Sequence, residues 1–265
     1  MMGASDSPVQ LSVVIPCYNE QKNLEAGALA EVRDFMVIQP YTWEVLIVDD
    51  GSTDSSLALT ETFTANEEHF GLHSIPHGTK PAAIREGIEQ ARGQYVLFTD
   101  MDQSTPIAEL ARLLPWTEQG FDVVIGSRGM GREGFSILRQ TGSVVFRLIR
   151  SIFLLRDIKD TQCGFKLFRR DVAARLFPRL QFFRADRDRD ISGWKVTAYD
   201  VELLHLCRKA GYAIKEVSVE WRNRDLSDTK GQAGEAGRYV RESLDMVKQI
   251  LRVSLNDLRG HYREL

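Results

Sequence analysis

The sequence is poor in cysteine. Cys17, Cys163 and Cys207 are far apart, odd in number and without metal-ligand spacing. That pattern argues against a disulfide framework or a thiolate metal site and fits reduced thiols in a cytosolic compartment. Long apolar runs are also missing. Each hydrophobic stretch is broken by Arg, Lys or Asp well before the ~20 residues that a membrane span needs. Residues 1–8 form a short polar lead-in without the pattern of a signal peptide. No charge of one sign dominates: the net charge is −3, which gives no general attraction to nucleic acid. There is no internal repeat and no low-complexity tract. What remains is a soluble or surface-bound protein of 265 residues, 43% of them hydrophobic, enough for one large domain or two small ones.

Several motifs are missing too. No Gly-x-Gly-x-x-Gly follows the first strand, and no Walker A lysine is present. No Gly-x-Ser-x-Gly or locally supported Cys/His arrangement offers a covalent nucleophile. His69, His73, His77, His205 and His261 read as surface or core residues.

What is present is an alternation of strands and helices. Strands are expected at Leu11–Ile15, Glu44–Val48, Leu72–Ile75, Tyr95–Thr99 and Val123–Gly126. Helices are expected at Gln21–Val37, from the Ser/Thr/Asp cluster at 52–54 into Ala65, at Pro81–Arg92 and at Ile107–Gln119. This is the pattern of parallel βαβ units, in which ligands bind beyond the carboxyl ends of the strands. Four polar clusters fall there: Pro16-Cys17-Tyr18-Asn19-Glu20, Asp49 to Asp54, Asp100 to Ser104 and Gly126-Ser127-Arg128.

Asp100 and Asp102 follow an apolar strand with one residue between them. On a strand, residues i and i+2 point the same way, so the two carboxylates would converge and repel unless a cation lay between them. The competing reading makes one a turn residue and the other a helix cap, since Ser104-Thr105-Pro106 resembles a helix start. The four coincident clusters favour the cation. Hard oxygen ligands suit Mg²⁺ or Mn²⁺ on a diphosphate. Tyr18 can stack on a base, and Glu20 or Asp50 can accept its ring N–H groups.

The later chain is organised differently. Residues 129–134 form a flexible link. Residues 142–156 are helical, apolar on one face and basic on the other, and suit either a membrane interface or packing on the domain itself. Residues 184–190 form a charged loop, Tyr199–Ala210 a helix and Ala213–Trp221 a strand. Residues 225–237 are rich in Gly, Ser and Asp. A C-terminal helix carries Val240, Leu244, Val247, Leu251 and Leu258 on one face, for a membrane, a dimer or its own core.

Together, Val14-Ile15-Pro16-Cys17-Tyr18-Asn19-Glu20, Val48-Asp49-Asp50-Gly51-Ser52-Thr53-Asp54, Asp100-Met101-Asp102 and Gly126-Ser127-Arg128 resemble the inverting GT-A glycosyltransferases of family 2. Asp160-Thr161-Gln162-Cys163-Gly164-Phe165-Lys166 resembles their polyprenyl-phosphate branch, especially the dolichyl-phosphate β-glucosyltransferases, with the mannosyltransferases as close relatives. The resemblance covers about Leu11 to Trp221. It implies one GT-A domain over 1–265: a nucleotide-sugar half at 9–128, an acceptor half at 129–223, and a mobile segment with a C-terminal helix at 224–265. It implies a nucleoside pocket lined by Pro16, Tyr18, Glu20 and Asp50 with Asp49 in support. Asp100 and Asp102 would hold metal and diphosphate, with Gln103 or Ser104. Arg128, Arg139 and Lys166 would grip the donor diphosphate and the acceptor phosphate. His77-Gly78-Thr79-Lys80-Pro81 departs from the family's Gly-Lys-Gly loop and is stiffened by Pro81; the resemblance implies Lys80 as a further phosphate contact.

The expected reaction moves glucose from UDP-glucose to a polyprenyl phosphate. GDP-mannose as donor, a soluble hydroxyl acceptor, and a nucleotide-sugar-binding protein without turnover are the alternatives. A phosphate acceptor is mostly ionised near pH 7 and needs no general base. Asp200 and Glu202, placed where hydroxyl-glycosylating relatives keep their base, would then orient sugar or basic side chains, or simply lie on the helix surface. The implied location is cytoplasmic, peripheral on the membrane face.

Overall fold

The computed structural model describes residues 8–129, 157–183, 199–227, 248 and 250–263. Arg139, the 142–156 helix, the 184–190 loop and most of 225–237 lie outside the described residues.

Seven strands form one sheet: β1 (Leu11–Cys17), β2 (Trp43–Asp49), β3 (Phe70–Ser74), β4 (Tyr95–Phe98), β5 (Val123–Ser127), β6 (Lys166–Arg169) and β7 (Ile214–Ser218), in the order β3-β2-β1-β4-β6-β5-β7. The helices are α1 (Gln21–Glu25), α2 (Ala28–Met36), α3 (Ser56–Thr64), α4 (Lys80–Gln90), α5 (Leu110–Glu118), α6 (Arg170–Leu176), α7 (Tyr199–Lys209) and α8 (250–258). The helix expected over 21–37 is broken in two. Gly27, at φ 88, takes a left-handed conformation between α1 and α2 that favours glycine.

β1, β2, β4 and β5 are largely apolar and buried because both faces are covered. Val14, Leu46, Val96, Phe98, Ile125 and Phe168 pack on one side with α4, α6, α7 and α8. Val13, Ile15, Ile47, Leu97, Val124 and Leu167 pack on the other with α2 and α5.

The sheet is mostly parallel, as expected of this alternation, with one exception among its strands. β6 is antiparallel to both β4 and β5 and lies between them. Its sequence, Lys-Leu-Phe-Arg, is four residues long and follows a motif rather than a helix. It is also the strand that matters most for the site. Being antiparallel, it delivers its first residue to the end of the sheet where its parallel neighbours deliver their last. Lys166 is paired with Phe98 and Ile125 there, next to Asp100 and Arg128.

Candidate active site

The site is built on the carboxyl ends of β1, β2, β4 and β5 and the amino end of β6. On the β1–β2 side the polar groups serve one another. Asp49 Oδ2 accepts the N–H groups of Gly51 and Ser52 at 3.1 and 3.2 Å. Asp50 is wholly buried and accepts the N–H groups of Gly78 and Thr79 at 2.7 and 2.9 Å. His77 Nδ1 lies 2.9 Å from Asp50 Oδ2 and 3.0 Å from the Asp50 carbonyl oxygen. Both oxygens are acceptors, so that nitrogen carries the proton. Burial raises the Asp50 carboxyl above its ordinary value, against the pull of these donors. The His77 ring stacks on Tyr18 with centroids 4.3 Å apart. Pro16 lies in β1 opposite Val48.

Glu20 accepts from Asn23 Nδ2 at 2.5 Å. Burial, aided by the nearby charges of Asp225, Asp102 and Asp100, pushes its carboxyl up to about 8.

The other side of the site is a set of ion pairs. Lys80, the first residue of α4, is hydrogen-bonded through Nζ to Asp100 Oδ1. Lys166 is 2% exposed and donates to Asp200 Oδ1 at 2.6 Å and to the Cys163 carbonyl. Arg128 grips Asp160 in a bidentate pair at 2.7 and 2.8 Å, and its guanidinium lies 5.9 Å from the centre of the Trp221 ring. Burial alone would raise Asp100; Lys80, Lys166 and Arg128 reverse this and hold it below its ordinary value. Burial and the Asp100 charge raise Asp102. The two aspartates of one motif are thus pushed in opposite directions. Gly164 explains part of the Asp160–Lys166 motif. A Cβ there would lie 2.1 Å from Asp100 Oδ2, so the carboxylate needs glycine beside it.

The chain after β7 crosses from the far edge of the sheet back to α1. Arg222 N donates to the Ser104 carbonyl and Arg224 N to Ser104 Oγ. Arg224 pairs with Glu31, and Leu226 N donates to Asn23 Oδ1 at 3.0 Å.

Most of the residues expected at the site converge. Gln103 and Ser104, however, are occupied in shaping the loop. Gln103 has φ 49, donates to the Asp100 carbonyl and accepts from Ile107 N. Glu202 faces away, accepting from Gln181 N and the Tyr262 hydroxyl at 3.0 and 2.8 Å. Sequence reading missed His77, whose signal was its place just before Gly78 at the end of the third strand. It also missed the partner roles of Asp160 and Gly164, both inside a motif it had marked. Tyr199, buried beside Asp200, went unremarked; burial, with the Asp200 and Asp100 charges, holds its phenol well above its ordinary value.

Among the described residues no group of three or more His, Cys, Asp or Glu side chains is arranged to hold a metal. Asp100 and Asp102 nonetheless suit a hard cation: Asp100 already holds an ammonium group, and Gly164 leaves it the room.

Comparison with known proteins agrees with this arrangement. The sequence profile described as Glycosyl transferase family 2 matches residues 12–177. The chain is 30% identical to the dolichyl-phosphate beta-glucosyltransferase of Saccharomyces cerevisiae, over 98% of this chain and 78% of that protein. It is 34% identical to the Drosophila melanogaster protein of the same name, over 84% and 70%. Among solved structures, mannosyl-3-phosphoglycerate synthase from Rubrobacter xylanophilus superposes with a TM-score of 0.63 at 17% identity, covering 97% of this chain and 77% of that one. Glucosyl-3-phosphoglycerate synthase from Mycobacterium tuberculosis, solved with Mn²⁺, UDP and glucosyl-3-phosphoglycerate, gives 0.58 at 18% identity, covering 94% and 79%. The fold is the GT-A arrangement.

Proposed function

This chain belongs to glycosyltransferase family 2, and from that premise we propose that it transfers glucose, with inversion, from UDP-glucose to a dolichol-type polyprenyl phosphate. The names of its relatives support the sugar and the acceptor. The complex of the mycobacterial neighbour makes UDP and a divalent metal the natural donor partners.

In this reading Tyr18 offers its ring to the base, beside the His77 ring that already stacks on it. Glu20 and the Asp50 loop bound the nucleoside, and Asp100 and Asp102 would hold Mg²⁺ or Mn²⁺. A divalent cation there would supply charge neutralisation for the departing diphosphate. Lys80 and Arg128 serve the diphosphate from the protein side, and Lys166, buried on Asp200, adds positive charge behind the acceptor phosphate. An acceptor oxygen attacks that carbon as its bond to the UDP oxygen breaks. Arg139 belongs to the same proposal as a further phosphate contact.

One observation carries the acceptor assignment: Asp200 is pinned by Lys166 in a buried ion pair. A general base needs a carboxylate free to take a proton within reach of the nucleophile. Asp200 is instead committed to a cation, and Glu202 to Gln181 and Tyr262. A phosphate monoester, with its second pKa near 6, dispenses with the base and profits from the cation. A lipid acceptor places the reaction at a membrane surface, reached by peripheral contact at its cytoplasmic face. No helix among the described residues is long and apolar enough to cross a membrane.

The test is product formation from UDP-glucose and, separately, GDP-mannose with a short polyprenyl phosphate and Mg²⁺ or Mn²⁺. Lipid-linked glucose is expected. Mannose transfer would overturn the donor. Nucleotide release without lipid product would overturn the acceptor and return Asp200 to the role of base.

A further inference from the structure

Lys80 holds an unusual position. Its ammonium is on the carboxylate of Asp100, where the proposed function would put a divalent cation. The Lys80 side chain is 14% exposed and that of Asp100 is 41% exposed, so the ammonium covers the protein side of the carboxylate while the other side stays open. The Asp100 carboxylate occupies the space beside Gly164 that a Cβ would fill, so it sits there only because residue 164 is glycine. The backbone of Lys80 is fixed. It follows Thr79, whose N–H, like that of Gly78, is held by Asp50. The mobile part is the four-carbon stem of the lysine, which can swing its point charge between partners.

We propose that Lys80 is a tethered cation that keeps the divalent metal's place on Asp100 and yields it only when a nucleoside diphosphate arrives to receive the ammonium. The inference rests on the metal role given above to Asp100. Without nucleotide, a divalent ion on Asp100 must share the carboxylate with a like charge. With the diphosphate present, Lys80 moves to a phosphate oxygen, the competition for the carboxylate ends, and both cations are attracted by the added negative charge. The anchor of Lys80 is Asp50, in the nucleoside pocket, so both ends of the donor meet one short loop, residues 77–80. Metal and nucleotide therefore load as a coupled pair, each strengthening the other by the same factor.

The experiment is a Mn²⁺ titration of the full chain, followed by the electron paramagnetic resonance of the free ion, with and without UDP. Lys80→Met removes the charge and Lys80→Arg retains it. Without UDP, Lys80→Met is expected to bind Mn²⁺ about tenfold tighter than the wild type, within the usual span of coupling effects, while Lys80→Arg stays near the wild type. Lys80→Gln carries the same expectation should Lys80→Met not fold. Mn²⁺ binding by the uncharged variant that is no tighter than wild type, with UDP-dependent binding intact, overturns the inference and leaves the metal assignment standing. Mn²⁺ binding to none of the proteins, or binding that survives Asp100→Asn unchanged, overturns the metal assignment and the inference with it.

Discussion

Two pairs of carboxylates stand at the same end of the same sheet, and they are used in opposite ways. Asp49 and Asp50, at the end of β2, are buried; backbone N–H groups hold Asp49 Oδ2, and backbone N–H groups and His77 hold both oxygens of Asp50. Asp100 and Asp102, just past β4, are half-buried, and Asp100 meets the ammonium of Lys80 at the end of a four-carbon stem. Fixed donors make a carboxylate part of the scaffold. A charge on a flexible stem leaves it able to exchange partners. The residue type and its place in the topology are shared, so the partners decide which pair builds the loop and which serves the chemistry.

That contrast can be broken most sharply by removing one member from each pair. Asp102→Ala should lower turnover by about 10³-fold or more, the loss of a preorganised electrostatic partner of the reaction. In the fold its carboxylate accepts from Ser104, a half-buried contact, so stability should fall by only ~1 kcal/mol. Steady-state kinetics beside urea unfolding checks both halves. A variant with wild-type turnover would sink the metal assignment.

Asp50→Ala should show the reverse emphasis. It leaves the Gly78 and Thr79 N–H groups without their acceptor in a buried setting, while the His77 ring keeps the Asp50 backbone carbonyl. Each unpaired buried donor costs about 1–3 kcal/mol, so a loss of roughly 3 kcal/mol is expected in the urea midpoint at unchanged slope. If the loss is under ~1 kcal/mol, the loop is held by something other than Asp50.

How much of this contrast was legible beforehand follows from the kind of signal each residue leaves. The sheet was readable because strands buried on both faces are apolar throughout and end in polar clusters; Val13 to Ile15 and Val45 to Val48 are such runs. Asp100 and Asp102 stood out for their spacing. β6 did not, because four residues leave no periodicity, and an antiparallel strand without a crossover helix breaks the alternation by which the others were found. The pairing of Lys80 with Asp100, or of Arg128 with Asp160, could not be read at all. Pairings across 20 and 32 residues are set by where the sheet brings strand ends, and the sequence shows only that the charges exist. His77 leaves only its place before Gly78 as a signal, and its role emerges when the fold sets Tyr18 and Asp50 beside it.

A third test uses Glu20, which stands between the two pairs. Burial and the acidic neighbours Asp225, Asp102 and Asp100 hold its carboxyl near 8, against an ordinary value of 4.5. The folded chain therefore keeps a proton there over a range in which the unfolded chain has lost it. Through this group, stability is greatest below about pH 4.5, falls as the pH rises toward about 8, and is level above that. Glu20→Gln should flatten that decline in urea titrations run without divalent metal. A decline of unchanged steepness would mean that Glu20 is already ionised in the folded protein.

The smallest expected effect lies at Thr79, which joins the two pairs through its own N–H to Asp50 and through Lys80 to Asp100. Its backbone sits at φ 78 and ψ 167, a region that side chains with a branched Cβ avoid, and its hydroxyl is buried with no protein partner. Both features are costs, of order 1–3 kcal/mol for the backbone. Glycine removes both, at the expense of a more flexible unfolded chain, worth about 0.4–1 kcal/mol. Thr79→Gly should thus be neutral or stabilising by about 1 kcal/mol, where Gly substitutions at ordinary positions destabilise. Urea unfolding measures the sign. A clear destabilisation would mean that the threonine side chain contributes packing that outweighs its strain, and that the loop between the two carboxylate pairs is held by Thr79 as well as by Asp50.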